Sequence, residues 1–543
     1  MHLDQFQLLK QSLSSAPLEL GLSAVQVKPY YKQLTFTSYL FDNDFLTIIP
    51  EMYLVSMGLF LLLFGCVYST SSKLNYPLLS TNIGWFTLLS FFYTFLLIQL
   101  NPINNATVLY NTLIIDDFTQ FIKICTLLAS IFSLLISLKY IKNENYNAFE
   151  SMILILFSTA SMLFCISSSD FISMYLAVEL QSLCFYVLAA FKRNSEFSTE
   201  SGLKYFILGA FSSGFLLFGC SLIYAFTGTL NFAECAKLFA FTGQLDSIGT
   251  NYTLDILTLS LPKLGMIFLL VGFLFKIAAA PFHMWSPDVY EGAPTPVTAF
   301  FVITPKLTYF AVFLRIFYQC FYDLFDIWQM VLILASLASM IVGAIGGLSQ
   351  TKIKRLVAFS SIGHVGYLLI GFACGSIEGI HSLCLYLIIY IFMNIAMFGI
   401  LLSGLLPADN KLPNMKYITD LAYLGKTNPI LAITLAITLF SMAGIPPLAG
   451  FYSKAYLFFA ALSNDLGLLA IIGVLTSVCS CFYYIRLIRI MYFTTPKNWY
   501  STTRVSKTNA IALALSLYIL VFFMFYPSPL FLLTHKATLA LCL

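Results

Sequence analysis

Apolar runs of about 20 residues follow one another from residue 46 to residue 528 with little between them, and that length is what an α-helix needs to cross roughly 30 Å of hydrocarbon. The period-two alternation of a membrane β-barrel is absent, which leaves helices, the backbone form that satisfies its own N–H and C=O groups in lipid. The fold class is therefore an all-α polytopic membrane protein. The runs place about fourteen transmembrane helices, near 46–68, 78–99, 118–138, 148–166, 170–192, 203–227, 258–280, 293–320, 328–349, 354–375, 379–404, 428–460, 464–492 and 508–528. Only 10% of the 543 residues are charged, too few to solvate the surface of a soluble domain.

The loops have sides. After odd-numbered runs stand Lys73, Lys142, Lys192 and Arg193, then Lys352, Lys354 and Arg355, then Lys411, Lys416 and Lys426, and finally Arg489, Lys497, Arg504 and Lys507. After even-numbered runs stand Asp116, Asp117, Asp170, Asp323, Asp326 and Glu378. Lys and Arg collect in loops of the cytoplasmic type, so both termini are expected on the side away from the basic loops. A net charge of +4, scattered over short loops, gives no footprint for nucleic acid. The 12 cysteines stand singly apart from Cys479 and Cys481, with no CxxC or Cys/His cluster. Neither a disulfide framework nor a zinc or iron-sulfur site is expected. The first 44 residues form an N-terminal extension with Asp4, Glu19 and no arginine, unlike an Arg-rich transit peptide, and without the apolar core of a signal peptide. LDQFQLLKQSL near its start suits an interfacial helix or an unstructured arm equally.

The seventh run ends as GFLFKIAAAPFHMW, residues 272–285, setting an ammonium, a helix breaker and an imidazole side by side. No Lys or Arg follows it before the next run, which departs from the loop pattern. FKIAAAP at 275–281 is echoed by FSMAGIP at 440–446, and paired, proline-interrupted helices at matching places are a mark of transporters built from inverted repeats. A proline frees a backbone carbonyl that must then face protein or water instead of lipid, so each break marks an expected polar cavity.

An ionised side chain at mid-bilayer costs about 2.5–3.5 kcal/mol on insertion scales, and this chain has several. Glu179 lies inside FISMYLAVELQSLCFYVLAAF, Lys276 precedes the first break, Lys306 lies in TAFFVITPKLTYFAVF, and Lys454 follows the second break. Lys204 opens a helix, where an interfacial snorkelling role reads as well as a functional one. Glu179 and Lys276 suit a static ion pair as well as a coupled one. His283, beside Pro281 and Trp285, suits an interfacial histidine as well as a proton carrier. His364 and His381 have no partner nameable from sequence, and Lys352, Lys354 and Arg355 read as topological charges. Buried amines with an adjustable acid partner can take up and release protons near neutral pH, and their spread over several helices points to a proton path in the membrane. No phosphate-binding GxxxxGK[ST] loop or GxGxxG dinucleotide fingerprint is present, so neither ATP nor a nicotinamide is expected on this chain.

These residues sit in MYLAVELQSLCFYVLAAFKR at 174–193, EFSTESGLKYFILGAFSSGFLLFGCSLIY at 196–224, FKIAAAPFHMWSPDVYEGAPTPVTAF at 275–300, QTKIKRLVAFSSIGHVGYLLIGF at 350–372 and SMAGIPPLAGFYSK at 441–454. In these motifs, and from about Phe45 to about Leu533, the chain resembles the antiporter-like membrane subunits of respiratory complex I, the proton-pumping NADH:ubiquinone oxidoreductase. PDVYEGAPTPV places the resemblance on the subunit 2 (bacterial subunit N) branch, nearest to the mitochondrial type of plants and related protists. The resemblance implies two inverted five-helix repeats with discontinuous helices seven and twelve. It implies a division into residues 1–44, helices one to three at 45–140, a first repeat at 141–325, a second at 326–495, and helix fourteen with a tail at 496–543. It implies a coupled pair in Glu179 and Lys276, relay members in Lys204 and Lys306, a half-channel residue in His283, and an outward lysine in Lys454, with serine at 441 where the echo would put a second Lys276. No cofactor or metal is implied on this chain; NADH, FMN, iron-sulfur clusters and ubiquinone belong to other subunits. Expected partners are the other membrane-arm subunits, including neighbouring antiporter-like ones, and membrane lipids. The expected location is the mitochondrial inner membrane, with basic loops toward the matrix and both termini toward the intermembrane space. A subunit of a multisubunit sodium/proton antiporter, a structural spacer whose charges merely pair, and a quinone-binding chain are the competing readings; the last is weak because Trp285 and its aromatic neighbours read as interfacial anchors.

Overall fold

A computed structural model describes residues 37–543 apart from 70–77, 104, 144–148, 193, 247–252, 404, 408–415, 423, 496–499, 503–504 and 543. The expected N-terminal extension, up to residue 36, and the loop charges Lys73, Arg193, Lys411, Lys497 and Arg504 lie outside the described residues. Among those described, eleven helices are long and apolar enough to cross a membrane. In chain order the helices are α1 (Asp44–Tyr68), α2 (Leu78–Gln99), α3 (Asp117–Asn143), α4 (Phe149–Ser167), α5 (Phe171–Ala189), α6 (Glu196–Thr227), α7 (Phe232–Asp246), α8 (Thr253–Ile277), α9 (Trp285–Gly292), α10 (Thr295–Ile303) and α11 (Pro305–Arg315). There follow α12 (Phe325–Leu348), α13 (Ile353–Ala373), α14 (Ile377–Leu401), α15 (Pro429–Ala443), α16 (Ala449–Ser463), α17 (Gly467–Phe493), α18 (Lys507–Phe522) and α19 (Ser528–Cys542).

Prolines account for most of the places where the observed helices depart from the apolar runs. The run expected at 293–320 is divided at Thr304–Pro305 into α10 and α11, because Pro305 has no N–H to continue the ladder. It finishes in a π turn at Ile316–Cys320. The run at 428–460 is two helices, α15 and α16, separated by Gly444–Leu448 with Pro446 and Pro447 between them. Three helices lie outside the expected runs: α7, a 15-residue helix after α6, the eight-residue α9 between the seventh and eighth runs, and α19 in what reads as a tail. The two-stranded antiparallel ribbons, which pair Ala106 with Ile115 and Leu405 with Thr502, were not expected either.

The spans differ sharply in how much of them is buried. α1, α6 and α17 leave broad apolar faces exposed, whereas α10–α11, α13 and α14 are buried almost throughout. Lys306, Arg315, His364 and His381 in those central helices are thus enclosed by protein. Close helix approach makes this possible: a Cβ added to Gly343 of α12 would lie 2.5 Å from the backbone nitrogen of Gly363 of α13, so the two backbones come this close only because Gly343 has no side chain.

Candidate functional site

Both interrupted helices end in the same hydrogen-bond pattern. At the end of α8, Ala278 N–H donates to Phe275 O and Ala279 N–H to Leu274 O; at the end of α15, Gly444 N–H donates to Ser441 O and Ile445 N–H to Phe440 O. These are Schellman caps, with Ala278 at φ 63° and Gly444 at φ 85° as the left-handed residues. Matching the two helix ends on their caps sets Ala278 against Gly444, one residue out of step with the sequence echo. Met442, and not Ser441, therefore stands opposite Lys276.

A Schellman cap leaves the last two carbonyls of its helix without a partner in the motif. At the second break Lys454 supplies one: its Nζ donates to Met442 O at 2.9 Å and Ala443 O at 3.0 Å. The ammonium thus sits at the negative end of a helix dipole, 5.0 Å from the centre of the Tyr367 ring. At the first break the Trp285 indole instead adds a second hydrogen bond, at 2.9 Å, to Phe275 O, which already accepts from Ala278 N–H, and its ring stacks on Tyr205 at 4.7 Å. Trp285 is buried, which corrects the reading of it as an interfacial anchor: the indole closes the broken helix from inside.

Lys276, Lys306 and Lys454 are all buried, at 7%, 5% and 5% exposure. Lys276 and Lys306 line one internal cavity together with Tyr205, Trp285, Tyr290 and Tyr309. The Lys306 ammonium donates to the Tyr390 hydroxyl at 2.9 Å and to Ser361 O at 3.3 Å. On the far side of Tyr390 lies His364, ring to ring at 5.4 Å. Its Nδ1 meets the Tyr386 hydroxyl at 2.6 Å and its Nε2 the Tyr484 hydroxyl at 3.2 Å. His364 and Lys454 share a second internal cavity, with Ser360, Tyr367 and Tyr484. The structure therefore brings Lys276, Lys306 and Lys454 into one row and inserts a histidine that sequence reading left without a partner. The only sequence signal for His364 was an imidazole in the middle of a hydrophobic run.

Other expected residues are placed differently. Glu179 and Lys276 do not form a contact ion pair. The Glu179 carboxylate accepts from the Ser182 hydroxyl at 3.4 Å, and its second oxygen has no partner among the described residues. Lys204 lies apart from the row, in a half-exposed cluster where it pairs with Glu200 at 2.7 Å and Asp288 at 3.2 Å. Lys352 and Arg355 complete that cluster by pairing with Glu291, so these basic residues bind α9 to α13 as well as marking a side. His283, between α8 and α9, is buried, with Nδ1 unpartnered among the described residues.

Buried pairs that sequence reading missed lie around the start of α3. Lys123 meets Glu51 at 2.5 Å and Arg315 meets Asp116 at 2.5 Å. Glu51 sits near the start of a long apolar run, where nothing in sequence separates a buried carboxylate from an interfacial one. His381, also without an expected partner, contacts the Tyr456 hydroxyl at 2.9 Å and the Thr534 hydroxyl at 2.8 Å. Among the described residues no three of His, Cys, Asp and Glu gather to hold a metal.

A transmembrane family described as NADH:quinone oxidoreductase/Mrp antiporter matches residues 168–480, over half of the chain. The chain is 55% identical over 507 residues to the NADH-ubiquinone oxidoreductase chain 2 of Marchantia polymorpha, covering 93% of this chain and all of that one. It is 43% identical over 447 residues to the NADH-quinone oxidoreductase subunit N of Rhodospirillum rubrum, covering 82% and 87%. A chain in the structure of respiratory complex I from Thermus thermophilus superposes with a TM-score of 0.72 at 26% identity, over 89% of this chain and 98% of that one. The shared fold and the long, high-identity matches agree: this chain belongs to the NADH:quinone oxidoreductase/Mrp antiporter family, on its complex I subunit 2/N branch.

Proposed function

We propose that protons cross the membrane through this chain along Lys276, Lys306, His364 and Lys454. The chain is an antiporter-like membrane-arm subunit of a proton-pumping NADH:ubiquinone oxidoreductase, and NADH oxidation and quinone reduction take place on other subunits of that complex. The observation that carries the proposal is a pair of internal cavities, one lined by Lys276 and Lys306 and the other by His364 and Lys454, with Tyr390 touching both Lys306 and His364. Three amines of nearly equal burial lose comparable solvation, so a proton passed among them meets no deep trap. Tyr390 and Tyr386 offer hydroxyls that both donate and accept between Lys306 and His364.

In this reading a charge change arriving from the neighbouring subunit alters the Glu179 to Lys276 separation, and Lys276 releases its proton toward Lys306. The proton then passes by way of His364 to Lys454, which gives it up on the outward side. Lys204 and His283 serve the approach to the row. The helices divide into two inverted five-helix repeats, α4–α11 and α12–α17, following α1–α3 and followed by α18–α19; with α8–α9, α10–α11 and α15–α16 each counted as a single crossing and α7 and α19 counted as none, the total is fourteen. The matching caps at the two breaks support this division. Both termini face the intermembrane space, the basic loops face the matrix, and neighbouring antiporter-like subunits and lipids cover the exposed apolar faces. No nucleic acid partner and no cofactor are assigned to the chain. The test is replacement of Lys276 and Lys454, one at a time, by alanine. An assembled complex with normal protons pumped per NADH in either variant overturns the relay.

A further inference from the structure

His364 stands between two tyrosine rings, Tyr390 at 5.4 Å and Tyr367 at 6.2 Å, and each ring carries a lysine on its face. The Lys306 ammonium lies 4.8 Å from the centre of Tyr390, and the Lys454 ammonium 5.0 Å from that of Tyr367. One helix supplies much of this arrangement. Ser361, whose carbonyl takes Lys306, then His364 and Tyr367 follow at three-residue spacing on α13, close to the period that keeps side chains on one face. The two rings are used differently. Tyr390 turns its hydroxyl to Lys306 at 2.9 Å, whereas the Tyr367 hydroxyl meets the Thr476 hydroxyl of α17 at 3.4 Å. Thr476 directs its own proton to Ile472 O at 2.9 Å and Gly473 O at 3.0 Å, so Tyr367 is the donor in that pair and its hydroxyl is engaged there. An ammonium has three N–H donors. Two of those on Lys454 go to Met442 O and Ala443 O, and among the described residues the remaining partner is the Tyr367 face.

We propose that Tyr367 is a positioning residue for proton release, its ring face holding Lys454 while the amine is charged and letting it go once the amine is neutral. This rests on the relay proposed above and adds the element that tells the two forms of Lys454 apart. The ring quadrupole attracts a cation and not a neutral amine, whereas the two backbone carbonyls can accept an N–H from either form. The ring is therefore the part of the seat that senses charge. Tyr367 and Lys454 are both buried, at 4% and 5% exposure, and a desolvated contact of this kind contributes up to about 30-fold to how often the cation occupies its seat. The bond to Thr476 fixes the plane of the ring from one side, and Phe458 meets it edge-on at 6.1 Å, so the face stays set for the ammonium.

The test measures protons pumped per NADH in vesicles containing the intact complex, for Tyr367→Leu, Tyr367→Phe and Lys454→Ala. Tyr367→Leu, which has no π face, should lower the ratio several-fold, to a limit of about 30-fold, at normal subunit content. Tyr367→Phe, which keeps the face and loses the hydroxyl, should recover most of that loss. Normal pumping in Tyr367→Leu, or an equal fall in both variants, overturns the proposal. Lys454→Ala separates the two ideas: normal pumping there removes the relay and this proposal with it, whereas a pumping defect there beside normal pumping in Tyr367→Leu removes only the role of Tyr367. A thermal melt distinguishes charge from packing. Tyr367→Leu should lower the melting temperature less in a Lys454→Met background than beside the native lysine; equal drops in the two backgrounds assign the ring to packing and overturn the proposal. If Tyr367→Leu does not assemble, Tyr367→Met, also without a π face, takes its place in both measurements.

Discussion

Replacing Gly444 by alanine probes how the second break holds its lysine. Gly444 takes the left-handed position of the α15 cap at φ 85°, and Ala278 takes the matching position of α8 at φ 63° with a methyl group already present. The backbone cost of Gly444→Ala is therefore about 1 kcal/mol, a strain the first cap shows to be tolerable. Space is the harsher constraint. A Cβ at 444 would stand 2.9 Å from Lys454 Cδ and 3.2 Å from Nζ, so the lysine must swing aside. Its contacts to Met442 O and Ala443 O, 2.9 and 3.0 Å long, then lengthen together. Hydrogen bonds to a charged group contribute about 1.5–3 kcal/mol each, and losing half of two such bonds amounts to about 1.5–3 kcal/mol. That is a roughly 10- to 150-fold change in how often the ammonium occupies its seat. In vesicles containing the complex, NADH-driven acidification read with a pH-sensitive dye and normalised to NADH consumed should fall in Gly444→Ala. Assembly should stay near normal, and Ala278→Gly, which relieves strain at the other cap, should pump normally. Unchanged protons per NADH in Gly444→Ala would refute the idea that the helix-end seat of Lys454 matters to transport.

Four further outcomes are expected. His364→Gln removes the imidazole between the Tyr386 and Tyr484 hydroxyls, and pumping should fall in a complex of normal subunit content by blue-native electrophoresis. Trp285→Phe keeps the stack on Tyr205 but removes one of the two hydrogen bonds accepted by the Phe275 carbonyl, which keeps the one from Ala278 N–H, lowering stability by about 0.5–1.5 kcal/mol in a thermal melt. Arg315→Met leaves Asp116 without its partner, a loss of about 3–5 kcal/mol visible as poor assembly, whereas Arg315→Met together with Asp116→Leu recovers most of it. Asp170, at the start of α5, has its carboxyl raised by burial, with Glu234 adding to the rise and the Asn231 amide opposing it. A carboxyl raised on folding favours the folded state at low pH and loses that contribution as pH rises through its folded value. Asp170→Asn should thus raise the melting temperature more at about pH 7, where the carboxyl is ionised, than at about pH 3, where it is protonated; equal gains at both would count against this account.

The helical, polytopic fold class, most of the spans and both breaks were legible because each rests on a local pattern: a run long enough for the bilayer, or a proline that cannot continue a ladder. Lys276, Lys306 and Lys454 were legible for a related reason, since an amine inside an apolar run must find polar company within the bundle. His364 was not, because its value comes from three tyrosines on two other helices, and pairing between helices leaves no mark in either sequence segment. Glu179 shows the converse failure. Its place in the run suggested a contact with Lys276, but separation in space is fixed by how α5 and α8 pack. The one-residue shift between the FKIAAAP and FSMAGIP echo and the two caps has a similar cause, because like letters recur in apolar segments while the cap is set by which residue turns left-handed. α7 escaped notice because a short helix lying outside the spans has no length constraint to announce it.

The final helix has a practical implication for anyone altering this protein. Thr534 and Phe531 of α19 hold the inner nitrogen of His381, and Lys536 reaches back to Asp117 at 3.2 Å. The last stretch of chain is thus a stopper seated over a buried imidazole. A truncation that removes α19 would bare that imidazole and leave Asp117 without Lys536, so this helix is a poor place to cut the chain.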